Sequence, residues 1–303
     1  MKVRQICMMV LLGLGVIPAM QAQTFDKLWK EVEQAEKKSL PKTVIKLTDE
    51  IYQKGEKERN SAQMLKAYMW RMKTQDILTP DSFYVGLRDL EQWAKQTGQP
   101  MDRAILHSLI AEFYANYAAD NQWQLRQRTE IVGETPSADI REWTANMFVE
   151  KVRTNVKEAL ADSLLLLKTS SLNYIPFVEL GETSEYYHHD MYHLLASRAI
   201  RALNQIERLE RGSFNGITAS PVKQDIINIY ERMTDAYETA GLKEGYVLTM
   251  LQYLEWKRGN DNKLQPVQLK KGLGEWTADT YNAALDELKR QFKSEPICAE
   301  VYL

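Results

Sequence analysis

Apolar side chains recur at helical spacing along almost the whole of this chain. Near its start, Trp29, Val32 and Ala35 follow Phe25 at intervals of four, seven and ten residues, which places all four on one stripe of an α-helix. No stretch shows the sustained alternation of apolar and polar residues that is typical of a half-buried β-strand. The spacing therefore predicts an all-α protein.

The same spacing predicts a series of helices joined by short connections. Pro41 stands at the first turn of a second helix, and Asn60-Ser61 begins a third. Later helices are predicted at about 81–97, 101–119, 139–168, 186–210, 221–240, 243–258 and 277–293. Because short connections favour antiparallel neighbours, we expect an array of antiparallel helical hairpins resembling an α-solenoid.

One of the predicted hairpins carries a repeat signature. Tyr237, Gly241, Met250 and Tyr253 occupy the positions where a tetratricopeptide unit has its aromatic, turn and packing residues. Tyr246 departs from that unit, because a small alanine normally stands there and lets the two helices approach closely. We interpret the hairpin as a degenerate tetratricopeptide-like repeat.

The first 22 residues have the layout of a secretory signal peptide. Two basic residues precede an apolar run from Ile6 to Ile17, which a proline and small residues follow. The run is shorter than the roughly 20 apolar residues that cross a bilayer, so no membrane span is expected. We expect an exported protein of the periplasm, cell envelope or extracellular space. Its helical domain would be residues 23–303, with a candidate sub-boundary near 169–184.

Composition argues against several kinds of partner and stabilising bond. The net charge of −2 is too mild to suggest nucleic acid as a partner. Removal of the leader would take away Cys7 and leave Cys298 alone, so no internal disulfide is expected. Stability must then come from burial of the hydrophobic residues, which make up 44% of the chain.

The last residues predict a chain that continues further. Pro296 begins a short helix with Ile297, Val301 and Tyr302 on one apolar face, and the sequence ends without a C-cap. A helix of about two turns is marginal in water unless it packs or extends. We therefore expect these residues to be the front part of a longer, truncated protein.

A longer pattern of charged and apolar residues runs through the predicted domain. It comprises Phe25–Lys38, Leu40–Lys42, Ile51–Lys54 and Gln63–Tyr68, and it continues in the segments 103–117, 191–200 and 236–256. This pattern resembles the N-terminal helical region of alpha-2-macroglobulin-like proteins of the Gram-negative bacterial envelope. Full-length members of that family are similar to protease traps, in which bait cleavage rearranges β-domains and a Cys-x-Glu-Gln thioester captures the protease.

The resemblance implies a role rather than a reactive site. Cys298 is followed by Glu300 but has Val301 where the thioester requires glutamine. The chain would thus be a fragment that lacks the macroglobulin and thioester domains. The resemblance implies a non-enzymatic interaction or spacer module of a protease-inhibitor family, which contacts protein partners or downstream domains. No catalytic or cofactor-binding residue and no cofactor are expected.

The segment EYYHHDMYH, residues 185–193, is the strongest candidate for chemistry. On the helix predicted at 186–210, His189 and His193 lie one turn apart and Glu185 lies a turn earlier, so three metal-ligating side chains would share a face. A zinc-protease motif requires glutamate directly after the first histidine, where this chain has Asp190. Packing of the histidines is the favoured interpretation, and a metal-binding protein remains an alternative function.

Other features also favour packing over binding. His107 is expected to be a satisfied residue in or beside the core, and Leu164 to Leu167 to form a buried helix end. Most tryptophans are expected between helices. A free-standing secreted tetratricopeptide-like adaptor, which binds peptides on a concave face, is a further alternative function.

Overall fold

The chain is helical throughout the part that the structure describes. The computed structural model describes residues 24–79, 83–129, 137–179, 181, 189–210, 220–260 and 281–302. These residues contain no β-strand, and an isolated backbone bridge pairs Ser170 with Asp190. The all-α prediction is confirmed.

The helices follow one another with few intervening residues. They are α1 (Phe25–Lys37), α2 (Pro41–Glu58), α3 (Ser61–Leu78), α4 (Phe83–Gln96), α5 (Pro100–Asp120), α6 (Gln122–Gln127), α7 (Ala145–Ala159), α8 (Ser163–Lys168), α9 (Met191–Glu207), α10 (Pro221–Ala240), α11 (Lys243–Asn260) and α12 (Tyr281–Gln291). Short 3-10 helices cover Ile140–Glu142, Ser171–Tyr174 and Pro296–Tyr302. No helix in the described ranges is long and apolar enough to cross a membrane.

N-capping aspartates set the starts of α8 and α9, which differ from the predicted helix boundaries. The helix expected at 139–168 is interrupted, because the Asp162 side chain accepts a hydrogen bond from the backbone N–H of Leu165 and starts α8 as a separate helix. The helix expected at 186–210 begins at Met191 because Asp190 is its N-cap. By contrast, Gly241 ends α10 at the expected residue with φ 69°.

The helices form an array in which each packs chiefly on its neighbours. α1 packs on α2, α2 on α3 and α4 on α5, while α5 lies against both α7 and α9. The series continues from α9 to α10 and from α10 to α11, which contacts the C-terminal 3-10 helix. Because two residues connect α2 to α3 and α10 to α11, these pairs are antiparallel hairpins. The predicted helical, repeat-like fold is confirmed.

The first two helices bury the face that their sequence predicts. Leu28, Trp29 and Val32 pack with Val44 and Ile51 in a small core at this end of the array. The indole Nε1 of Trp29 also donates a hydrogen bond of 2.6 Å to Gln63 Oε1 on α3. A second, larger core extends from α3 to the C-terminal 3-10 helix.

Most tryptophans pack between helices, as expected. Trp29 and Trp143 are buried, Trp70, Trp93 and Trp256 are partly buried, and Trp123 is 72% exposed. Trp276 lies outside the described residues. Trp93 of α4 meets Tyr52 of α2 and Tyr68 of α3 at ring-centroid distances of 5.7 Å, so aromatic contacts link three consecutive helices.

A tetratricopeptide unit has its close helix contact at the position of Tyr246. In this chain the close contact occurs one position earlier, at Gly245. A Cβ atom added to Gly245 would come within 2.7 Å of the Tyr237 ring, which shows that α10 and α11 touch at this glycine. Tyr246 is itself buried, and its ring lies 5.8 Å from that of Phe292. Gly245 thus lies at the contact between α10 and α11, and Tyr246 packs against Phe292 instead.

The C-terminal helix differs from the prediction in its type and in one of its buried residues. Ile297 and Val301 are buried as expected, but Cys298 joins them and Tyr302 is 67% exposed. The segment is a 3-10 helix, whose tighter turn of about three residues brings Cys298 and Val301 to the same side. Tyr302 instead lies under the Nζ of Lys289, 4.6 Å from the ring centroid.

Candidate functional site

The histidine-rich segment caps α9 instead of forming one of its faces. His189 precedes the helix with φ 51°, and the Oδ1 of Asp190 accepts a 2.8 Å hydrogen bond from the backbone N–H of His193. His189 and His193 therefore do not share a helical face, and the prediction that they do is wrong. The reason is that a short carboxylate side chain satisfies the free N–H groups of a helix start better than it suits a helix interior.

The structure describes two of the three candidate metal ligands, His189 and His193. Glu185 lies outside the described residues. Among the residues that are described, no group of three histidine, cysteine, aspartate or glutamate side chains is placed to hold a metal ion. The alternative that Glu185, His189 and His193 bind a metal therefore stays a prediction.

Asp190 ties three parts of the fold together. It is 6% exposed, and the hydroxyl of Tyr237 on α10 donates to its two carboxylate oxygens at 3.2 and 3.1 Å. The adjoining backbone pairs with the segment before it, since Met191 N donates to Thr169 O at 2.9 Å. The candidate metal segment is thus a structural junction between α9, α10 and residues 169–171.

The imidazole of His193 lies inside this junction. Its ring centroid is 6.4 Å from that of Tyr237. Burial lowers the pKa of His193 to about 4, against the opposing effect of the nearby Asp190 carboxylate. The ring is therefore neutral at pH 7, and its pKa lies far below the value that suits a general base at that pH.

His107 is a hydrogen-bonded residue at the edge of the core, as predicted. Its Nδ1 lies 2.8 Å from Asn155 Oδ1 and so links α5 to α7. The Nδ2 of Asn155 in turn donates to the backbone oxygen of Lys151 at 2.8 Å. This histidine serves helix packing.

One candidate site is a groove bounded by α3, α5, residues 176–179 and α9. We name it the Ser108 groove, and its volume is about 340 Å³. Its apolar walls include Met69, Trp70, Leu109, Phe177, Val178 and Leu194. Such a concave apolar surface with a few polar groups is typical of ligand and peptide sites.

Ser108 is the unusual polar group of this groove. It is 5% exposed, and its Oγ has no hydrogen-bond partner among the described residues. Several other hydroxyl side chains in the helices donate to the carbonyl four residues earlier, as Thr48 does to Val44 and Thr74 to Trp70. A buried hydroxyl without a partner destabilises a fold by about 1–3 kcal/mol, so an acceptor entering the groove would relieve that penalty.

Basic side chains stand on opposite walls of the Ser108 groove. Arg198 of α9 is paired with Glu112 of α5, and desolvation lowers the pKa of its guanidinium. Lys66 of α3 lies over the ring of Trp29, with its Nζ 4.7 Å from the centroid. Both cations are held in place by the protein itself, so the groove is shaped before any ligand arrives.

The described residues of the groove can bind a ligand through apolar contacts, the Ser108 side chain and two basic side chains. A serine nucleophile needs a base within hydrogen-bond reach, and Ser108 Oγ has none in the described part of the chain. The only sequence signal for this position is a serine flanked by buried apolar residues in the segment AILHSLIAEF. That signal is common to ordinary core helices, which is why sequence reasoning did not single out Ser108.

Comparison with known proteins adds no relative. No protein-family profile, curated protein or solved structure matches this chain. The alpha-2-macroglobulin-like resemblance remains a prediction that rests on its helical packing patterns.

Proposed function

We propose that this chain is a non-enzymatic, exported interaction module, and that the Ser108 groove holds an extended segment of a partner protein or of downstream domains. The observation that carries the proposal is Ser108, which lines an apolar groove and whose buried hydroxyl has no hydrogen-bond partner among the described residues. An unpartnered buried hydroxyl carries a stability cost, which an acceptor supplied by a bound segment would relieve.

The groove favours a peptide with one apolar side chain beside a free backbone carbonyl. The apolar side chain would lie between Met69, Leu109 and Leu194 and supply most of the affinity. The Ser108 hydroxyl would donate to the adjacent carbonyl and set the register of the segment. Backbone carbonyls occur in every peptide, so the apolar side chain would set which segment is bound.

The proposal is tested by selecting random peptides on the purified chain and measuring their affinity for two variants. Ser108→Ala and Thr249→Val each remove a buried hydroxyl that has no partner in the described structure, but Thr249 lies outside the groove. Both variants should be at least as stable as the parent. We expect Ser108→Ala to weaken binding by about tenfold and Thr249→Val to leave it unchanged.

A different result would contradict the assignment of the groove. If the selected peptides bind both variants and the parent equally, Ser108 has no part in recognition. Quenching of tryptophan fluorescence provides a second measurement, because Trp70 lines the same groove. If peptide binding leaves the tryptophan emission unchanged both in the parent and in a Trp70→Phe variant, that result would also count against the site.

Export and the resemblance to alpha-2-macroglobulin-like proteins make separate predictions. Expression in a Gram-negative host should yield a periplasmic protein whose N-terminal sequence begins at Gln23. The genomic sequence after Leu303 should encode macroglobulin domains if the module belongs to a protease-trapping chain. A stop codon there would favour the alternative, a free-standing tetratricopeptide-like adaptor that uses the same groove.

A further inference from the structure

A second groove lies between α7, α8 and α10 and shares no lining residue with the Ser108 groove. It consists of two cavities of about 460 and 640 Å³, which share Leu160, Tyr192 and Arg232 and therefore form one elongated depression. We name it the Leu164 groove. Its walls are three helices, so it is long and ridged rather than flat.

The lining of this groove contains leucines that the sequence predicts to be buried. Only Leu166 of the run Leu164 to Leu167 is fully buried, whereas Leu164 is 66% exposed. The expected buried helix end is therefore wrong for Leu164. The reason is that α8 is a separate six-residue helix that packs on α9 by one side, which leaves its opposite side facing outward.

Three basic residues at the rim have no acidic partner within the described ranges. Lys157, Lys168 and Arg232 are exposed and form no ion pair there. The neighbouring Arg153 differs, because it binds Asp225 at 2.6 Å and Glu150 at 3.0 Å. Those two acidic groups are thus already paired with Arg153.

The rim therefore offers positive charge for a ligand to meet. Its other acidic side chain is that of Asp235. An apolar lining beside three cations that form no ion pair with the described residues complements a ligand that is apolar on one face and acidic on its flanks.

We propose that the Leu164 groove docks an amphipathic helix of a partner protein, with its apolar face on the leucines and its acidic side chains toward Lys157, Lys168 and Arg232. A helix fits because residues at positions i, i+3, i+4 and i+7 form a ridge that lies between the ridges of flanking helices. The apolar face supplies affinity, while the charges set orientation and reject basic helices.

An anionic membrane surface is apolar and acidic like the proposed helix, but it differs from that helix in shape. A bilayer presents a broad, flat surface and binds best to apolar side chains that project from a convex face. The leucines here line a depression between helices. The concave shape favours a helix, and vesicle binding becomes a result that would overturn the proposal.

The direct test uses two labelled peptides of about 18 residues, which is roughly five helical turns. Both carry leucine at the i, i+3, i+4 and i+7 positions, and they differ only in having glutamate or lysine at the flanking positions. Fluorescence anisotropy with the full chain should detect binding of the glutamate peptide and at least about tenfold weaker binding of the lysine peptide. Added salt should weaken the glutamate peptide's binding, because the rim charges are exposed.

Variants with matched controls locate the binding site. Leu164→Glu should weaken binding of the glutamate peptide by about tenfold or more. Leu172→Glu changes an exposed leucine outside the groove and should leave this binding unchanged. Arg232→Glu should weaken it as well. Lys46→Glu makes the same charge change on α2 and should not.

The outcomes separate this proposal from the function assigned to the Ser108 groove. Ser108→Ala should leave binding of the glutamate peptide intact, so loss of one site does not imply loss of the other. Equal binding of both peptides, no binding of the glutamate peptide, or an unaffected Leu164→Glu variant would overturn the proposal. Binding to anionic phospholipid vesicles without binding to the peptide would assign the groove to a membrane surface instead.

Discussion

Tyr237 on α10 lies against Gly245 on α11 so closely that an added Cβ at the glycine would be 2.7 Å from the tyrosine ring. The hydroxyl of the same tyrosine donates to Asp190, the N-cap of α9. One side chain therefore connects three helices: its ring requires a glycine on one neighbour, and its hydroxyl requires a carboxylate on the other.

Gly245→Ala should destabilise the protein. The methyl group would collide with the Tyr237 ring, which is 1% exposed and packed on all sides, and overpacking of this kind costs about 1–3 kcal/mol. Gly259→Ala is the matched control in the same helix, because no described residue lies within 4 Å of its added Cβ. The control should match or exceed the parent by up to about 1 kcal/mol, since alanine favours helix. Urea unfolding measures both, and equal stabilities would show that the close contact is misassigned.

Tyr237→Phe should lower the free energy of unfolding by about 1–3 kcal/mol. The change removes a donor from the buried Asp190 carboxylate, and hydrogen bonds to charged groups are the stronger ones. Tyr253→Phe is the control, since Tyr253 is equally buried but its hydroxyl makes no hydrogen bond in the described structure. Chemical denaturation of the two variants should differ clearly, and a similar loss in both would reject the special role of Tyr237.

Trp29→Ala should cost about 3–5 kcal/mol of stability. The substitution empties the small core between α1 and α2 and strands Gln63, the acceptor of the indole hydrogen bond. Lys37→Ala and Lys38→Ala change exposed side chains at the end of α1 and should scarcely move the melting temperature. Thermal unfolding followed by circular dichroism compares the three, and a Trp29→Ala variant as stable as the parent would contradict the packing described here.

His193 should make the fold sensitive to mild acid. Its pKa falls from the ordinary 6.5 to about 4 in the folded chain, so the unfolded chain binds a proton more readily between these values. Stability from the neutral ring is present above pH 6.5 and is lost as the pH falls toward 4. The loss should amount to about 1–3 kcal/mol.

A His193→Gln variant tests this pH dependence, because glutamine does not titrate. The difference in unfolding free energy between parent and variant should shrink as the pH is lowered from 7 to 4. A difference that stays constant over this range would show that the pKa of His193 is the same in the folded and unfolded chains.

Local patterns were sufficient for the helices that bury one simple stripe. Leu28, Trp29 and Val32 recur at helical spacing, and they are buried because any helix in that register must cover this face. The end of α10 was also predictable, since Gly241 adopts the left-handed conformation that glycine tolerates best. The groove residues were not predictable in this way, because Ser108 and Leu164 follow the same periodic pattern as the core.

The sequence by itself determined that this chain is all-α, which faces of its first helices are buried and where several helices begin and end, because these depend on residues within a few positions of one another. Only the tertiary structure decided what its polar groups do. Asp190 caps α9 and accepts a hydrogen bond from Tyr237, which is 47 positions away, and so makes the histidine-rich segment a junction between helices. Likewise, Ser108 has no partner among the described residues, and Leu164 stays exposed, because of where other helices lie. Such contacts depend on how distant helices pack, and spacing along the chain does not record that packing.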